Sequence, residues 1–219
     1  MASLQKLKSG KNYEIYTDGK DKFVKVLVRI SYPHFGVIRT NTDQNTGKTR
    51  KSWDGMGLMP KATHKEAYEA INTIIEEIKA NAINEKTGKK GVFVEDSNLF
   101  LKDGDKKEDE TGHGHWTINF SDGSRRPTVR RKNGEVMSDE EEIDRLFVGG
   151  MWAYVMIRPW YFNGKAKNDP NNYPKRVSAG FVGAQYVKDD EPFGKGSIDD
   201  SDAWGSVDDG LDGGEDDDM

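Results

Sequence analysis

With 219 residues, no cysteine, 34 % hydrophobic content and no long apolar run, the chain is expected to fold as one soluble, cytoplasmic domain. Disulfides, thiolate metal sites and cysteine catalysis are excluded, a membrane span of ~20 apolar residues is lacking, and no N-terminal signal peptide is expected. The net charge of −5 hides a split: residues 188–219 hold 13 acids against Lys188 and Lys195, a net of −11, which leaves 31 bases and 25 acids, a net of +6, in residues 1–187.

Residues 1–21 are polar and are expected to form a flexible arm. From Phe23 to Tyr32 the pattern alternates, with Val24, Val26, Val28 and Ile30 on one face and Phe23, Lys25, Leu27 and Arg29 on the other. That predicts a strand with one buried face. After a turn marked by Asn45 and Gly47, Arg50 to Met59 predicts a second strand with Met56 and Leu58 inward, weakened by Gly55 and Gly57. Thr63 and Glu66 have the spacing of a capping box. Tyr68, Ile71, Ile75, Ile78 and Ala82 then recur at helical spacing, so one helix is expected to about Ala82.

Beyond the helix the pattern is β-like again. Val92–Val94 and Asn98–Lys102 flank a charged loop, and Trp116, Ile118 and Phe120 alternate with Thr117 and Asn119. Pro127–Lys132 is a basic, edge-like stretch, and SDEEEIDR an acidic insert. The strongest strand is expected from Val148 to Arg158, with Met151, Ala153, Val155 and Ile157 facing one way and Trp152, Tyr154, Met156 and Arg158 the other. Arg176–Val187 predicts the last strand, with Val177, Ala179 and Phe181 inward. From Asp189 onward Gly, Ser and Asp dominate, a composition expected to be disordered. The fold expected is therefore mainly β: an OB-fold barrel with a five-stranded core, extra strands and one packed α-helix. Its plan is an arm at 1–21, a domain at 22–194 and a disordered acidic tail at 195–219.

Three clusters combine bases with aromatic rings. Lys48, Arg50, Lys51 and Trp53 form the first; Arg125, Arg126, Arg130, Arg131 and Lys132 the second; Trp152, Tyr154, Arg158, Trp160, Tyr161, Phe162, Lys165 and Lys167 the third. Single-stranded nucleic acid needs this mixture, since exposed bases stack on rings at ~1–3 kcal/mol each while Lys and Arg track phosphates. Each cluster has a plainer alternative: core packing for the rings, and protection of a sheet edge for the bases. His113 and His115 lack a third ligand, so they predict a polar turn rather than a metal site.

The segments RISYPHF (29–35), FLKDGDKK (100–107), WTINFSDGSRRPTVRRKNGEV (116–136), VGGMWAYVMIRPWYF (148–162) and RVSAGFVGAQYVKDDEPFG (176–194) together resemble a phage family of single-stranded DNA-binding proteins, once filed as of unknown function. The resemblance spreads over most of residues 22–194. It implies a single oligonucleotide-binding barrel, non-enzymatic and without metal or cofactor, that coats DNA strands during phage replication or recombination. The acidic tail is similar in kind to those of bacterial and short-tailed-phage counterparts, which end in an aromatic residue where this chain has Asp216-Asp217-Asp218-Met219.

On this reading Trp53, Trp152, Tyr154 and Trp160 are the expected stacking rings, and Arg29, Arg50, Lys51, Arg126, Arg130, Arg131 and Arg158 the expected phosphate contacts. The tail, with Trp204 as its aromatic and Asp216, Asp217, Asp218 and Met219 at its end, is expected to compete with DNA. It is also expected to recruit DNA polymerase, helicase or recombination proteins. The protein is expected to be a monomer or weak homodimer. Two other classes stand beside this reading. One is a magnesium-dependent nuclease using Asp103, Asp105, Glu108 or Asp109; the other is a protein-interaction module whose tail mimics DNA.

Overall fold

The structure is a computed structural model and describes residues 3–42, 44, 47–85, 87–106, 112–166, 172–191 and 193. In chain order these form β1 (Gln5–Gly10), β2 (Tyr13–Thr17), β3 (Lys22–Thr42), β4 (Thr49–Pro60), α1 (Lys61–Asn81) and β5 (Leu101–Asp103). There follow β6 (His115–Asp122), β7 (Thr128–Arg130), β8 (Val136–Met137), α2 (Glu140–Leu146), β9 (Trp152–Phe162) and β10 (Arg176–Lys188). The acidic tail expected at 195–219 lies outside the described residues. Among the described residues no helix is long and apolar enough to cross a membrane.

Five strands close a barrel. β3 pairs with β4, β4 with β6, β10 with β9 and β9 with β3, all antiparallel, while β6 and β10 meet in parallel at Ser121 and Gly180. This is the expected five-stranded OB-type barrel. Alternation drives it: Val24, Val26, Val28 and Ile30 of β3, Met151, Ala153, Val155 and Ile157 in and beside β9, and Val177, Ala179 and Phe181 of β10 are all buried. At one end Phe35 packs against Phe120, Phe147 and Phe181, with ring centroids 6.0, 5.3 and 4.7 Å away.

Four expectations need correction. Residues 1–21 are not a loose arm, because β1 and β2 form a hairpin that extends the sheet from β3 and buries Tyr13 and Ile15. The phase of β4 is inverted: a Cβ on Gly57 would lie 2.9 Å from Val28, and one on Gly55 3.0 Å from Phe35. The glycines therefore face the barrel interior and Met56 faces out, while Leu58 is fully buried as expected; the missing glycine side chains make room for large neighbours. The capping box is absent, since no side chain caps α1 and Glu66 instead accepts from the Lys11 amide (3.4 Å) and the Tyr13 hydroxyl (3.3 Å). Finally, the acidic insert is a second helix, α2. Asp139 caps it by accepting from the Glu142 amide at 2.8 Å, and Glu140, Glu141 and Glu142 suit the positive end of its dipole.

The helices bracket the barrel. α1 buries Ala67, Ile71, Ile74 and Ile75, with Tyr68 stacked on Trp116 at 4.3 Å. α2 buries Ile143, and its Asp144 carboxylate accepts from the amides of Gly36 (2.9 Å) and Val37 (3.2 Å) at the bend of β3.

Candidate nucleic-acid interface

An open groove of about 890 Å³ crosses the outer face of β4, β6 and β10. Its floor carries Ser52, Asp54 and Met56 from β4, Asn119 and Ser121 from β6, and Ser178 from β10. Tyr32 and Arg39 reach it from β3, and the turn at Ser97–Phe100, bonded to Val177 of β10, lines it together with Lys102 of β5, Trp160 of β9 and Arg176 of β10. Arg50 and Lys51 line the end where β3 and β4 run out as a ribbon.

Among the described residues the lining holds five cations, Arg39, Arg50, Lys51, Lys102 and Arg176, and one acid, Asp54. Asp54 is buried and already engaged. It accepts from Arg39 Nε at 3.2 Å and Nη2 at 3.0 Å, from the Ser52 hydroxyl at 2.6 Å, and bonds His34 Nδ1 at 3.1 Å. It therefore fixes Arg39 without neutralising the other four. Burial, and then the charge of Arg50, push the Arg176 guanidinium below its ordinary value. Arg176 also lies over the Phe162 ring at 4.4 Å, and Phe162 meets Trp160 edge-on at 6.1 Å. A part-buried guanidinium with a second, exposed cation close enough to repel it favours an anion entering from solvent. A groove with cations along it and rings at its edge suits an extended polyanion with planar groups.

The expected site residues that the structure describes divide between this groove and four other places. Arg50, Lys51 and Trp160 line the groove. Arg158 lies two residues before Trp160 on the same exposed face of β9, ion-paired with Asp21 at 3.4 Å, and Tyr154 is farther along under the Lys25 ammonium at 4.6 Å. Trp152 and Arg29, paired across β9 and β3, hold the root of the acidic tail. The Trp152 indole donates to Asp190 at 2.7 Å, and Arg29 donates to the Glu191 carbonyl at 2.7 Å and lies over the Phe193 ring at 4.4 Å.

Trp53 is turned inward, partly buried against the core, and donates to the Gly36 carbonyl at 3.2 Å; the inverted phase of β4 puts it there. The basic run of β7 is met by acids around α2. Arg126 pairs with Glu140 at 3.5 Å, Arg131 with Glu142 and with Glu135 at 3.7 Å, and Arg130 donates to the Gly134 carbonyl at 2.9 Å. Trp204, Asp216, Asp217, Asp218 and Met219 lie outside the described residues, as do Lys167, Glu108 and Asp109. Asp103 and Asp105 share the Lys61 ammonium, which lowers both carboxyls below their ordinary range. Among the described residues no group of three His, Asp or Glu side chains could hold a metal.

Tyr32, Arg39, Lys102 and Arg176 line the groove without having stood out in the sequence. Each stands alone in its stretch of sequence, Tyr32 and Arg39 on β3, Lys102 on β5 and Arg176 on β10, so no local run marks it. Only the strand order brings them together.

A family model described as Enterobacter phage Enc34, ssDNA-binding protein, matches residues 21–217. The chain is similar to the single-stranded DNA-binding protein from bacteriophage Enc34, at 34 % identity and a TM-score of 0.70 over 92 % of this chain and 98 % of that one. The same phage protein in complex with ssDNA gives 32 % identity and a TM-score of 0.71, over 89 % and 100 % of the two chains. gp2.5, a single-stranded DNA-binding protein encoded by bacteriophage T7, shares 14 % identity at a TM-score of 0.53, over 83 % and 99 %, a likeness of fold alone. No curated protein matches.

Proposed function

The chain belongs to the family of the Enterobacter phage Enc34 ssDNA-binding protein, and on that premise we propose that it coats single-stranded DNA without reading its sequence, the strand lying in the groove across β4, β6 and β10. The observation that carries this reading is the charge of that groove, where among the described residues five cations stand against one acid, itself tied to Arg39, His34 and Ser52. Phosphates would meet Arg50, Lys51, Lys102 and Arg176, and a base would stack on Trp160. Arg158 extends the same face. The protein acts by binding, in the host cytoplasm, as a monomer or weak homodimer. The nuclease alternative is disfavoured by Lys61, whose ammonium sits between Asp103 and Asp105 where a divalent cation would have to be. Labelled DNA incubated with magnesium should stay intact.

The acidic tail supplies regulation in this proposal. Residues 199–219 carry 10 acids and no Lys or Arg. Their attachment is held at Arg29 and Trp152, at the end of β9 away from Trp160, so Asp190, Glu191 and Phe193 serve as the tail's root. A segment of that length and composition, taken as a random coil, spans ~25 Å. At the ~millimolar local concentration of a tethered ligand it can compete for the groove. DNA would displace it and free it to recruit polymerase, helicase or recombination proteins.

A titration with single-stranded DNA at rising salt tests both parts. The logarithm of affinity should fall with a slope of about 0.7 per phosphate contacted, on the order of 3 in total. Removing residues 199–219 should raise affinity, most at low salt, with the gain fading as salt screens the tail. A salt-independent affinity contradicts the groove, and a truncation without effect contradicts the competition.

A further inference from the structure

Tyr32 departs from what packing alone would select. Its φ of 50° lies in the left-handed region, which glycine, asparagine and aspartate enter far more readily than an aromatic residue. It occupies the extra position of a β-bulge: Ser31 pairs with Met56 and His34 with Asp54, so three steps along β3 face two along β4. The left-handed position of such a bulge is commonly glycine. Pro33 follows, and a bulge tolerates its missing N–H.

The ring gains nothing visible from the strain. It is 66 % exposed and lines the groove. Among the described residues none bonds its hydroxyl or stacks on it. The bulge that carries it is nevertheless anchored on both sides. Ser31 and Phe35 are buried on either side, and the His34 ring is bonded to Asp54 on the groove floor at 3.1 Å. Strained residues held by well-packed surroundings cluster at ligand sites, because the strain fixes a side chain where folding alone would not put it.

We propose that Tyr32 is a stacking platform for an unpaired nucleobase, aimed into the groove by the Ser31–His34 bulge. The proposal rests on the groove being the DNA site, and deepens it by assigning a base contact to a residue on β3. A ring fixed in advance loses little freedom on binding, so most of the stacking contact appears as affinity.

The test uses the full chain with two oligonucleotides of equal length, one of thymidines and one abasic, measured by fluorescence anisotropy. Tyr32→Gly should bind the thymidine strand about tenfold more weakly and the abasic strand unchanged, while Tyr32→Phe stays within about twofold on both. The melting temperature of Tyr32→Gly should equal or exceed that of the native chain, because glycine relieves the left-handed position. If Tyr32→Gly binds thymidine as the native chain does while Arg176→Ala binds weakly, the platform is overturned and the groove stands. If neither weakens binding, the groove falls with it. Equal losses on both strands with a lower melting temperature would make the ring structural and overturn the proposal.

Discussion

Replacing Arg50, Lys51 and Arg176 together by alanine should lower single-strand affinity by about 100-fold or more at low salt and reduce the salt slope by ~2. The three line one groove, Arg50 and Lys51 from β4 and Arg176 from β10, and Asp54, the acid beside them, is already bound to Arg39, His34 and Ser52. Burial and the nearby charge of Arg50 leave Arg176 the most to gain from an incoming phosphate. The contrast is the triple replacement of Arg126, Arg130 and Arg131. These are more conspicuous in the sequence, but Glu135, Glu140 and Glu142 neutralise two of them and the Gly134 carbonyl holds the third. That variant should change affinity by about threefold at most, as for charges already paired at a surface. The same salt titration measures both.

The largest effect on stability is expected at Phe35. Phe35→Ala should cost about 3–5 kcal/mol and lower the melting temperature by roughly 10 °C in a domain of this size, as calorimetry would read. Its ring is fully buried among Phe120, Phe147 and Phe181, and Gly55 leaves the space beside it that a side chain would fill. No polar group in the cluster could draw water into the cavity, so the lost contacts would not be replaced. Because Phe35 also anchors the bend of β3 that carries His34 and Tyr32, DNA affinity should fall with stability.

Period-two alternation in β3, β9 and β10 made most of the barrel legible, since apolar side chains at every second position can satisfy only one face. β4 was misread for a related reason. Its inward positions are Gly55 and Gly57, whose hydrophobic partners, Phe35 and Val28, come from β3 and are invisible to a local pattern. The β1–β2 hairpin was hidden by Lys6, Lys8 and Ser9, which suit an exposed edge strand as well as a loose arm. α2 did carry its own signal in Asp139, three residues before Glu142, but the acidic run around it masked the few buried positions.

The groove was only partly legible. Arg50, Lys51 and Trp160 belong to runs of bases or rings, whereas Tyr32, Arg39, Lys102 and Arg176 are isolated residues joined by pairing of distant strands. Runs also misled. The bases at 125–132 are answered by acids at 135–142, a cancellation that becomes visible only once β7, β8 and α2 have folded together. Trp152 and Arg29 sit on the outer face of β9 and β3, at the end where the tail begins.

The most direct measurement is photocrosslinking of the full chain to a single strand carrying 5-iododeoxyuridine, with the linked residues identified by mass spectrometry. Crosslinks at Tyr32 and Trp160, with protection of Arg50, Lys51 and Arg176 from modification, are the result this account predicts. Crosslinks confined to Trp152 and Tyr154, or protection falling on Arg125–Lys132 instead, would contradict it and move the DNA to another face of the barrel.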